Sequence, residues 1–232
     1  MKIKTIKTRI FKENEDLILF VLEYIHKLPE KSVLVITSKI VALSEGRTKE
    51  CKNKKEKIKL IKEESSFSLK TKHTWLTIKD GIVMASAGID ESNADGKVVL
   101  LPKDSFKSAE IMRKALCKKF RIKNLGILIT DSRLFPLRVG IAGVALGYAG
   151  FKGVRNYIGT KDIFGRILKM SKTDVADSLA TSAVLCMGEG KEKKPLALIT
   201  DAPITFTSKI KRSELIIDPK KDIYAPLFRN LK

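Results

Sequence analysis

The sequence predicts an α+β protein in which mixed sheets pack against helices. Helix-like and strand-like segments alternate along much of the chain, and a hairpin pattern interrupts that alternation. The 232 residues are 44% apolar, which is enough to bury a substantial core. This length allows one large domain or two closely packed lobes, and we find no low-complexity linker that would split residues 1–232.

In the first half of the chain, four segments carry clear signals. Residues 16–28 have an acidic start, apolar residues on most faces and a proline stop, which predict a buried helix. The β-branched run 32–43 predicts a buried strand followed by a turn. Residues 49–72 are highly charged and predict a solvated amphipathic helix. The run 74–88 contains an Asp-Gly pair between two β-rich segments and predicts a hairpin.

In the second half, strand and helix signals alternate more regularly. Residues 98–104 predict a short strand, and 105–120 predict a helix that an acidic or hydroxyl side chain caps. Residues 124–132 predict a strand that stops on an acid and a hydroxyl. A capping-box pattern of Ser171 with Asp174 predicts a helix that runs through Met187, and 196–203 predict a last core strand.

Charge and cysteine usage limit the classes of partner and compartment. The chain has 46 Lys and Arg against 26 Asp and Glu, a net charge of +20, so its field should attract anions. The even spread of lysines equally fits an ordinary solvated surface. Three widely separated cysteines predict reduced thiols in a cytoplasmic protein. The charged start lacks the apolar segment that a signal peptide needs, so we expect none, and no apolar run is long enough to cross a bilayer.

Two predicted strands end in acidic turns, which are candidate ligand sites. Asp90 and Asn93 follow the first strand, and Asp131 and Ser132 follow the second. Two carboxylates about 5 Å apart would repel by roughly 3 kcal/mol at an effective dielectric of about 20, and a divalent cation would remove that cost. Oxygen-only donors favour Mg²⁺ or Mn²⁺ over Zn²⁺. Turn carboxylates that merely cap helices or form Asx-turns are the alternative.

The following segment, 138–153, is rich in glycine but matches no nucleotide-binding fingerprint. It is neither a dinucleotide motif nor a phosphate loop, so any bound nucleotide must be held in another way. Arg138 and Lys39 are candidate phosphate partners. Ser132 has no histidine near it in sequence, which argues against a serine hydrolase.

Five segments occur in a characteristic order and spacing. They are "VITSKIVALSEGR", "ASAGIDESNADG…LLPKD", "LITDSRLFPLRVGIAGVALGYAG", "DIFGR" and "VADSLATSAVLCMGEG". Together they resemble the family of coenzyme F-420-0:L-glutamate ligases. The resemblance implies a γ-glutamyl ligase that uses GTP or ATP and two Mg²⁺ or Mn²⁺ ions. It also implies a homodimer of two-lobed α+β subunits without a conventional phosphate loop.

The resemblance assigns roles to particular positions. It makes metal ligands of Asp90, Asp131, Ser132 and Glu189, and it makes Arg138 a catalytic residue. The implied nucleotide-binding residues are Arg9, Phe11, Ser38, Lys39, Asn93, Gly188 and Gly190.

This chain departs from the family pattern at two places. Leu43 stands where a lysine is common, which changes the expected grip on the nucleotide. The usual "GRPWR" is "LFPLR" here, which keeps Pro136 and Arg138 but alters the expected acceptor pocket.

The implied reaction joins L-glutamate to the carboxylate of a small-molecule acceptor through an acyl phosphate. Metals and orientation carry such chemistry, and no protein nucleophile is needed. A folate γ-glutamate ligase and a metal-dependent phosphohydrolase are alternatives. A basic RNA-binding protein that uses residues 49–72 is disfavoured, because no RNA-binding motif is present and aromatic residues make up only 6%.

Overall fold

A computed structural model describes residues 1–92 and 96–228 and has the predicted α+β class. The chain divides into two compact units. Unit 1 consists of Met1–Arg47 and Pro102–Arg212, and unit 2 consists of Thr48–Leu101 and Ser213–Lys232.

The helices follow the predicted order with several changes of boundary. The described α-helices are α1 (Leu17–Tyr24), α2 (Ser38–Ser44), α3 (Lys54–Glu63), α4 (Ser105–Phe120) and α5 (Val175–Met187). The prediction for α4 is confirmed, and Asp104 caps it by accepting a hydrogen bond from Lys107 N. Short 3-10 turns occupy Ser86–Gly88, Arg212–Glu214 and Ala225–Phe228.

Three helix predictions were wrong in detail. Helix α1 ends at Tyr24 rather than Leu28, because Ile25 turns into the core in an extended conformation. The residues after Thr37 form helix α2 rather than a turn, which lets Ile40 and Val41 pack into the core together. Helix α5 is capped by Asp174 alone, since its carboxylate accepts the hydrogen bond from Asp177 N.

The strands include several that the sequence did not predict. They are β1 (Lys2–Ile6), β2 (Ser32–Thr37), β3 (Thr48–Lys49), β4 (Phe67–Lys70), β5 (Trp75–Lys79), β6 (Ile82–Ala85), β7 (Val98–Val99), β8 (Leu125–Leu134), β9 (Ile141–Ala149), β10 (Val154–Asn156), β11 (Lys172–Asp174) and β12 (Leu196–Thr200). The predicted hairpin is confirmed as β5 and β6, with positive φ at Asp80 and Gly81. The predicted helix over 49–72 is shorter than expected, because residues 67–70 pair with β5.

Unit 1 is built on a five-stranded sheet in the order β1-β12-β2-β8-β9. Only β2 and β8 are parallel neighbours, and the other pairs are antiparallel. Helices α1, α2 and α4 pack on one face of this sheet, where residues such as Phe20 and Leu116 join Ile127 and Ile129 in the main core. Strand β8 continues past its predicted stop to Leu134, because β9 pairs with it over that whole length.

Helix α5 covers the opposite face of the sheet at a very short distance. Gly143 in β9 permits this approach, since a Cβ there would lie 2.6 Å from Ala180 O and from Val184 Cβ. Thr181 Oγ1 donates to Gly143 O at 2.7 Å, and Ala145 N donates to Asp177 Oδ1 at 2.8 Å. The glycine-rich segment is therefore a strand packed beneath a helix.

Unit 2 has its own small core. The three-stranded sheet β4-β5-β6 and the two-stranded pair of β3 with β7 accompany helix α3. Ile61, Ile89, Val98 and Leu100 form the buried centre, and Trp75 packs against it.

Two further features concern the cysteines and the length of the helices. Cys51, Cys117 and Cys186 are all free thiols, as predicted. Among the described helices, none combines the length and the apolar character needed to cross a membrane.

Candidate functional site

The parallel pair at the centre of unit 1 brings two predicted site residues together. Thr37 of β2 lies in register with Thr130 of β8, so the residues that follow them meet at the carboxyl ends of both strands. There, Ser38 Oγ donates to Asp131 Oδ1 at 3.3 Å. Ser38 is buried and Asp131 is half-buried, so this hydroxyl helps to fix the orientation of the carboxylate.

A second hydroxyl–carboxylate pair lies on the other face of the same strand. Ser132 Oγ donates to Glu189 Oε1 at 2.5 Å, the length expected for a charge-assisted hydrogen bond. Successive side chains of a strand point to opposite faces, so Ser132 faces α5 while Asp131 faces α2. Glu189 reaches Ser132 because it follows directly after the α5 C-cap, Gly188.

In the loop after α5, the carboxylate of Glu192 accepts a hydrogen bond from the backbone of the same loop. Gly190 N donates to Glu192 Oε2 at 2.8 Å. Gly188 has a φ of +83°, and a Cβ on it would lie 2.6 Å from Glu192 Cδ, so only glycine fits there without displacing that side chain. The two predicted nucleotide-binding glycines therefore flank Glu189 and touch Glu192.

Lys39, Leu43 and Arg138 occupy different surroundings in unit 1. Lys39 is half-buried in α2, directly after Ser38. Arg138 is exposed in the turn between β8 and β9, where its backbone N–H donates to Phe135 O at 3.3 Å. Leu43 packs at the edge of the main core, so its aliphatic side chain contributes to packing in this protein.

Arg9 and Phe11, two of the predicted nucleotide-binding residues, both contact helix α1. The guanidinium of Arg9 contacts the carboxylates of Glu15 and Glu23 and lies 4.9 Å above the ring of Phe20. Hydrogen bonding to Arg9 lowers the pKa of Glu15 to about 2. Phe11 is 6% exposed and packs edge-on against Phe20 with ring centroids 4.8 Å apart. Its side chain is therefore part of the core.

In unit 2, Asp90 follows a left-handed turn. Ser86, Ala87 and Gly88 have φ values of 50°, 55° and 71°, a conformation that costs roughly 1–2 kcal/mol at each non-glycine residue. Thr77, fully buried, accepts a hydrogen bond from Ala87 N at 2.8 Å and helps to hold this turn.

The Asp90 carboxylate also has local partners. It accepts hydrogen bonds from Ser92 N at 2.7 Å and from Ser92 Oγ at 2.9 Å, the pattern of an Asx-turn. Its backbone forms a two-way bridge with Val99. Asn93, the predicted nucleotide contact nearby, lies outside the described residues.

The donor chemistry of the unit 1 residues can be compared with what a metal needs. Within residues 1–92 and 96–228, no three His, Cys, Asp or Glu side chains come together as a metal cluster. Mg²⁺, however, is commonly bound by only one or two carboxylates together with water and substrate phosphates. Asp131 on one face of β8, and Ser132 with Glu189 on the other, offer only oxygen atoms, which is the donor chemistry that hard divalent cations prefer.

Sequence reasoning missed two residues that shape these surroundings. Arg133 is 6% exposed and follows Asp131 by two positions in β8, which puts both on the same face of the strand. The sequence pattern that could have revealed Arg133 is a basic residue two positions after a strand aspartate. Thr77 gave no signal, because a buried threonine in a strand usually serves packing alone.

A separate cleft lies at the other end of the unit 1 sheet. It has a volume of about 660 Å³ and is lined by Glu30 and Asn124, which precede β2 and β8, and by residues of the 200–206 segment. It is therefore at the amino ends of the parallel strands, away from Ser38 and Asp131.

The protein is of the α+β class, and carboxylate and hydroxyl side chains gather where β2 ends beside β8. Residues 5–201 match the model of the F420-0:Gamma-glutamyl ligase family. The chain belongs to this family.

Individual relatives agree over most of the chain. It is 31% identical over 242 residues to the coenzyme F420:L-glutamate ligase of Methanococcus maripaludis strain C7, and the match covers 97% of each chain. The protein of the same name from Methanocaldococcus jannaschii is 38% identical over 146 residues, which cover 63% of this chain and 58% of that one. The Archaeoglobus fulgidus protein is 30% identical over 208 residues, with 82% and 83% covered.

Proposed function

We propose that this protein is a nucleotide-dependent γ-glutamyl ligase that joins L-glutamate to the carboxylate of an acceptor of the coenzyme F420-0 type. The observation that carries the proposal is the pair of hydroxyl–carboxylate contacts, Ser38 with Asp131 and Ser132 with Glu189, in a member of this ligase family. The family resemblance extends the proposal to a homodimer.

The two hydroxyl donors give each carboxylate a defined orientation. Asp131, Ser132 and Glu189 are the proposed ligands in unit 1 for Mg²⁺ or Mn²⁺, which would neutralise charge on phosphoryl oxygens. Asp90 of unit 2 is proposed as a metal ligand as well.

The proposed reaction has two steps whose atoms balance. An oxygen of the acceptor carboxylate attacks the γ-phosphorus of GTP or ATP, and the nucleoside diphosphate leaves. The amine nitrogen of glutamate then attacks the acyl carbon, phosphate leaves and the nitrogen loses a proton, which gives an amide. The chain needs no nucleophile of its own in either step, because positioning and charge supply the rate.

Basic residues would gather and orient the three anionic substrates. Arg138 is the proposed catalytic residue toward the acceptor, and Lys39 is proposed to contact nucleotide phosphate. Arg9 is also proposed to bind nucleotide, and it would have to share its guanidinium with Glu15 and Glu23 or release them. The net charge of +20 supports capture of anions in general.

The proposal is tested by incubating the purified protein with L-glutamate, Mg²⁺ or Mn²⁺, GTP or ATP, and either a deazaflavin F420-0-type or a folate acceptor. Mass spectrometry should detect an acceptor that has gained one or more glutamyl groups, together with nucleoside diphosphate. Asp131→Asn and Asp90→Asn should each abolish most turnover, and Cys117→Ala should leave it unchanged. If only the folate acceptor gives a product, the proposed acceptor is wrong and the protein is a folate γ-glutamate ligase. If the nucleotide is hydrolysed and no amide forms, the protein is a phosphohydrolase and the ligase proposal is wrong.

Oxygen-18 tests the acyl-phosphate route separately. When the acceptor carboxylate carries the label, released phosphate should contain one labelled oxygen for each amide formed. Amide product with unlabelled phosphate would exclude this route even if ligase activity is present.

A further inference from the structure

The face of β8 that carries Ser132 continues toward the turn between β8 and β9. Ser132 pairs with Gly143, and alternate pairs of an antiparallel ladder share a face, so the next pair on this face is Leu134 with Ile141. We call these two residues the apolar pair. They are 61% and 48% exposed. The face therefore changes from polar to apolar within two residues of Ser132, or about 7 Å.

Helix α5 runs toward this turn but leaves the apolar pair in solvent. Near the start of the helix, Asp177 accepts a hydrogen bond from Ala145 N, and one turn later Thr181 donates to Gly143 O. The helix thus advances along β9 in the direction of Ile141, and it ends after less than two further turns. The apolar pair lies at the open end of this helix-on-sheet layer, beside the end of α5.

The turn itself exposes two more apolar side chains, one of them in a strained conformation. Arg138 N donates to Phe135 O, and Pro136 occupies the second position of the turn, so Leu137 at the third position takes a φ of +58°. Such a φ favours glycine and disfavours leucine. Leu137 and Val139 are both fully exposed. An apolar side chain that is strained and wholly solvated adds no packing to the chain, which points to a role in binding.

Together these side chains form a surface of the size of a small molecule. We call it the turn patch, and it consists of Leu134, Leu137, Val139 and Ile141. Two strands about 4.8 Å apart, over four residues of about 3.4 Å each, cover roughly 10 Å by 14 Å, or about 140 Å². A protein interface takes about 800 Å² from each partner. One large aromatic side chain buries about 150 to 250 Å², so the turn patch matches the face of one aromatic ring system.

We propose that the turn patch binds a flat aromatic ring of the acceptor, whose carboxylate reacts near Ser132 and Glu189. This inference rests on the proposed ligase function and adds the acceptor class, a molecule with an aromatic body and an anionic group. Charge complementarity supports this occupant, because the exposed Arg138 stands between Leu137 and Val139 and can pair with a carboxylate or phosphate of the same molecule. An aliphatic dicarboxylate would satisfy the arginine but leave the patch in water. Leu137 is therefore a specificity-determining residue.

Equilibrium binding of two flavins tests the patch in the absence of nucleotide, metal and glutamate. Riboflavin presents a flat uncharged ring, and FMN adds a phosphate to the same molecule. Quenching of flavin fluorescence should show saturable binding of both to the wild-type protein, with FMN bound more tightly. Leu137→Ser with Val139→Ser should weaken the binding of both flavins at least about 10-fold. Arg138→Gln should remove the preference for FMN over riboflavin.

The matched control is a second exposed apolar pair of unit 1. Ile163 and Phe164 are 92% and 82% exposed in the segment between β10 and β11. Ile163→Ser with Phe164→Ser should bind both flavins as the wild-type protein does. A variant pair that weakens riboflavin as much as the turn-patch variants do would overturn the proposal, because any exposed apolar surface would then suffice.

A single substitution at the strained position separates binding from folding. Leu137→Gly removes the apolar side chain and relieves the positive φ, so it should raise the midpoint of thermal unfolding while it weakens riboflavin binding about 3-fold to 10-fold. A side chain that served stability alone would behave in the opposite way. A lower midpoint with unchanged riboflavin binding would overturn the proposal.

Three further results would overturn the inference, and each is distinct from failure of the ligase proposal. One is a wild-type protein with no saturable flavin binding. Another is a mass, measured by sedimentation equilibrium, that falls from two chains to one in Leu137→Gly, since a second copy would then cover the patch. The third is amide formation with an unchanged acceptor KM in Leu137→Ser with Val139→Ser. If no amide forms but flavin binding depends on the patch as expected, the ligase proposal fails and the ring site stands.

Discussion

At the scale of single residues, the hydrogen bond from Ser132 to Glu189 is the most informative contact. It spans 57 residues of sequence and ties the end of α5 to strand β8. The hydroxyl satisfies one oxygen of the carboxylate and leaves the other available to a ligand. A threonine would keep this donor, whereas an alanine would remove it.

We expect Ser132→Ala to lower kcat/KM for the ligase reaction by about 10-fold to 100-fold, because the side-chain carboxylate of Glu189 loses its fixed orientation. Ser132→Thr should retain most activity, because threonine keeps the hydroxyl that donates to Glu189. Steady-state kinetics of the three proteins provide the measurement. Equal activity in all of them would mean that the Glu189 orientation is unimportant for turnover.

Asp131 is the second residue-scale test. Asp131→Asn keeps the shape and the acceptor for Ser38 but removes the charge, so we expect kcat to fall at least about 100-fold. Isothermal titration with Mn²⁺ should show weaker binding in parallel. Asp201→Asn is the matched control: Asp201 has a φ of +55°, which asparagine tolerates, and it lines the cleft at the opposite end of the sheet. If both variants behave like wild type, Asp131 is not a ligand residue.

At the scale of elements, helix α5 links the capping region at Asp174 to the loop that carries Glu189. The N-cap residue Asp174 and Asp177 of the first turn place two carboxylates at the start of this helix. Asp174 is exposed, but partial desolvation of its carboxylate at the helix start, and then the charge of Asp177, raise its pKa to about 6. The capping hydrogen bond from Asp177 N opposes that change but does not cancel it.

This pKa predicts a pH dependence of stability. Between pH 4 and pH 6 the folded protein binds a proton on Asp174 that the unfolded chain, with an ordinary aspartate pKa of about 3.9, has released. The contribution to the free energy of unfolding is therefore present below about pH 4 and is lost as the pH rises through about 6. Asp174→Asn should keep the cap and lose this dependence, as judged by urea unfolding at pH 4, 5, 6 and 7.

The control for that prediction is Asp16→Asn, the same change at the N-cap of α1. It should leave the difference between pH 4 and pH 6 as large as in wild type. A pH profile that is identical in wild type and in Asp174→Asn would show that Asp174 does not titrate in this range.

The loop that follows α5 gives a second element-scale prediction, which rests on the proposed nucleotide contact at Gly188 and Gly190. Because the Glu192 carboxylate occupies the Gly190 N–H and repels phosphate, Glu192→Ala should tighten nucleotide binding about 3-fold to 10-fold. Fluorescence titration with a labelled nucleotide measures this directly. Glu214→Ala, an acidic residue of unit 2, serves as the control. Weaker binding in Glu192→Ala would mean that Glu192 instead holds the loop in its binding shape.

At the scale of the whole molecule, the excess of basic residues is the dominant property. A field of this sign raises the local concentration of anions, and salt screens it over a Debye length of about 10 Å at 0.1 M. All three proposed substrates are anionic, so the field acts on each of them.

We therefore expect KM for the nucleotide to rise several-fold between about 50 mM and about 300 mM KCl, with kcat changed much less. Initial rates across that range test this expectation. Replacing KCl by sucrose of equal osmolality is the control for solvent effects. A KM independent of salt would show that long-range charge does not contribute to substrate capture.

The sequence by itself determined the elements whose signals are local. The Asp-Gly pair set the turn between β5 and β6, and Asp104 set the start of α4, because turn and cap preferences act over a few residues. It also placed Asp131 within a strand, although the strand runs on to Leu134, and it predicted three free cysteines. The five ordered segments were enough to identify the family that the comparison confirmed.

Only the tertiary structure decided which of these elements meet. The pairing of β2 with β8 joins Ser38 to Asp131, and the packing of α5 on β9 brings Glu189 to Ser132. The helix after Thr37 and the left-handed turn held by Thr77 also went unpredicted. Local patterns report the preferences of one segment for backbone shape and burial. Contacts between distant segments depend on the order of strands in a sheet. That order is set by the burial of apolar surface over the whole fold, so no short stretch of sequence carries a signal for it.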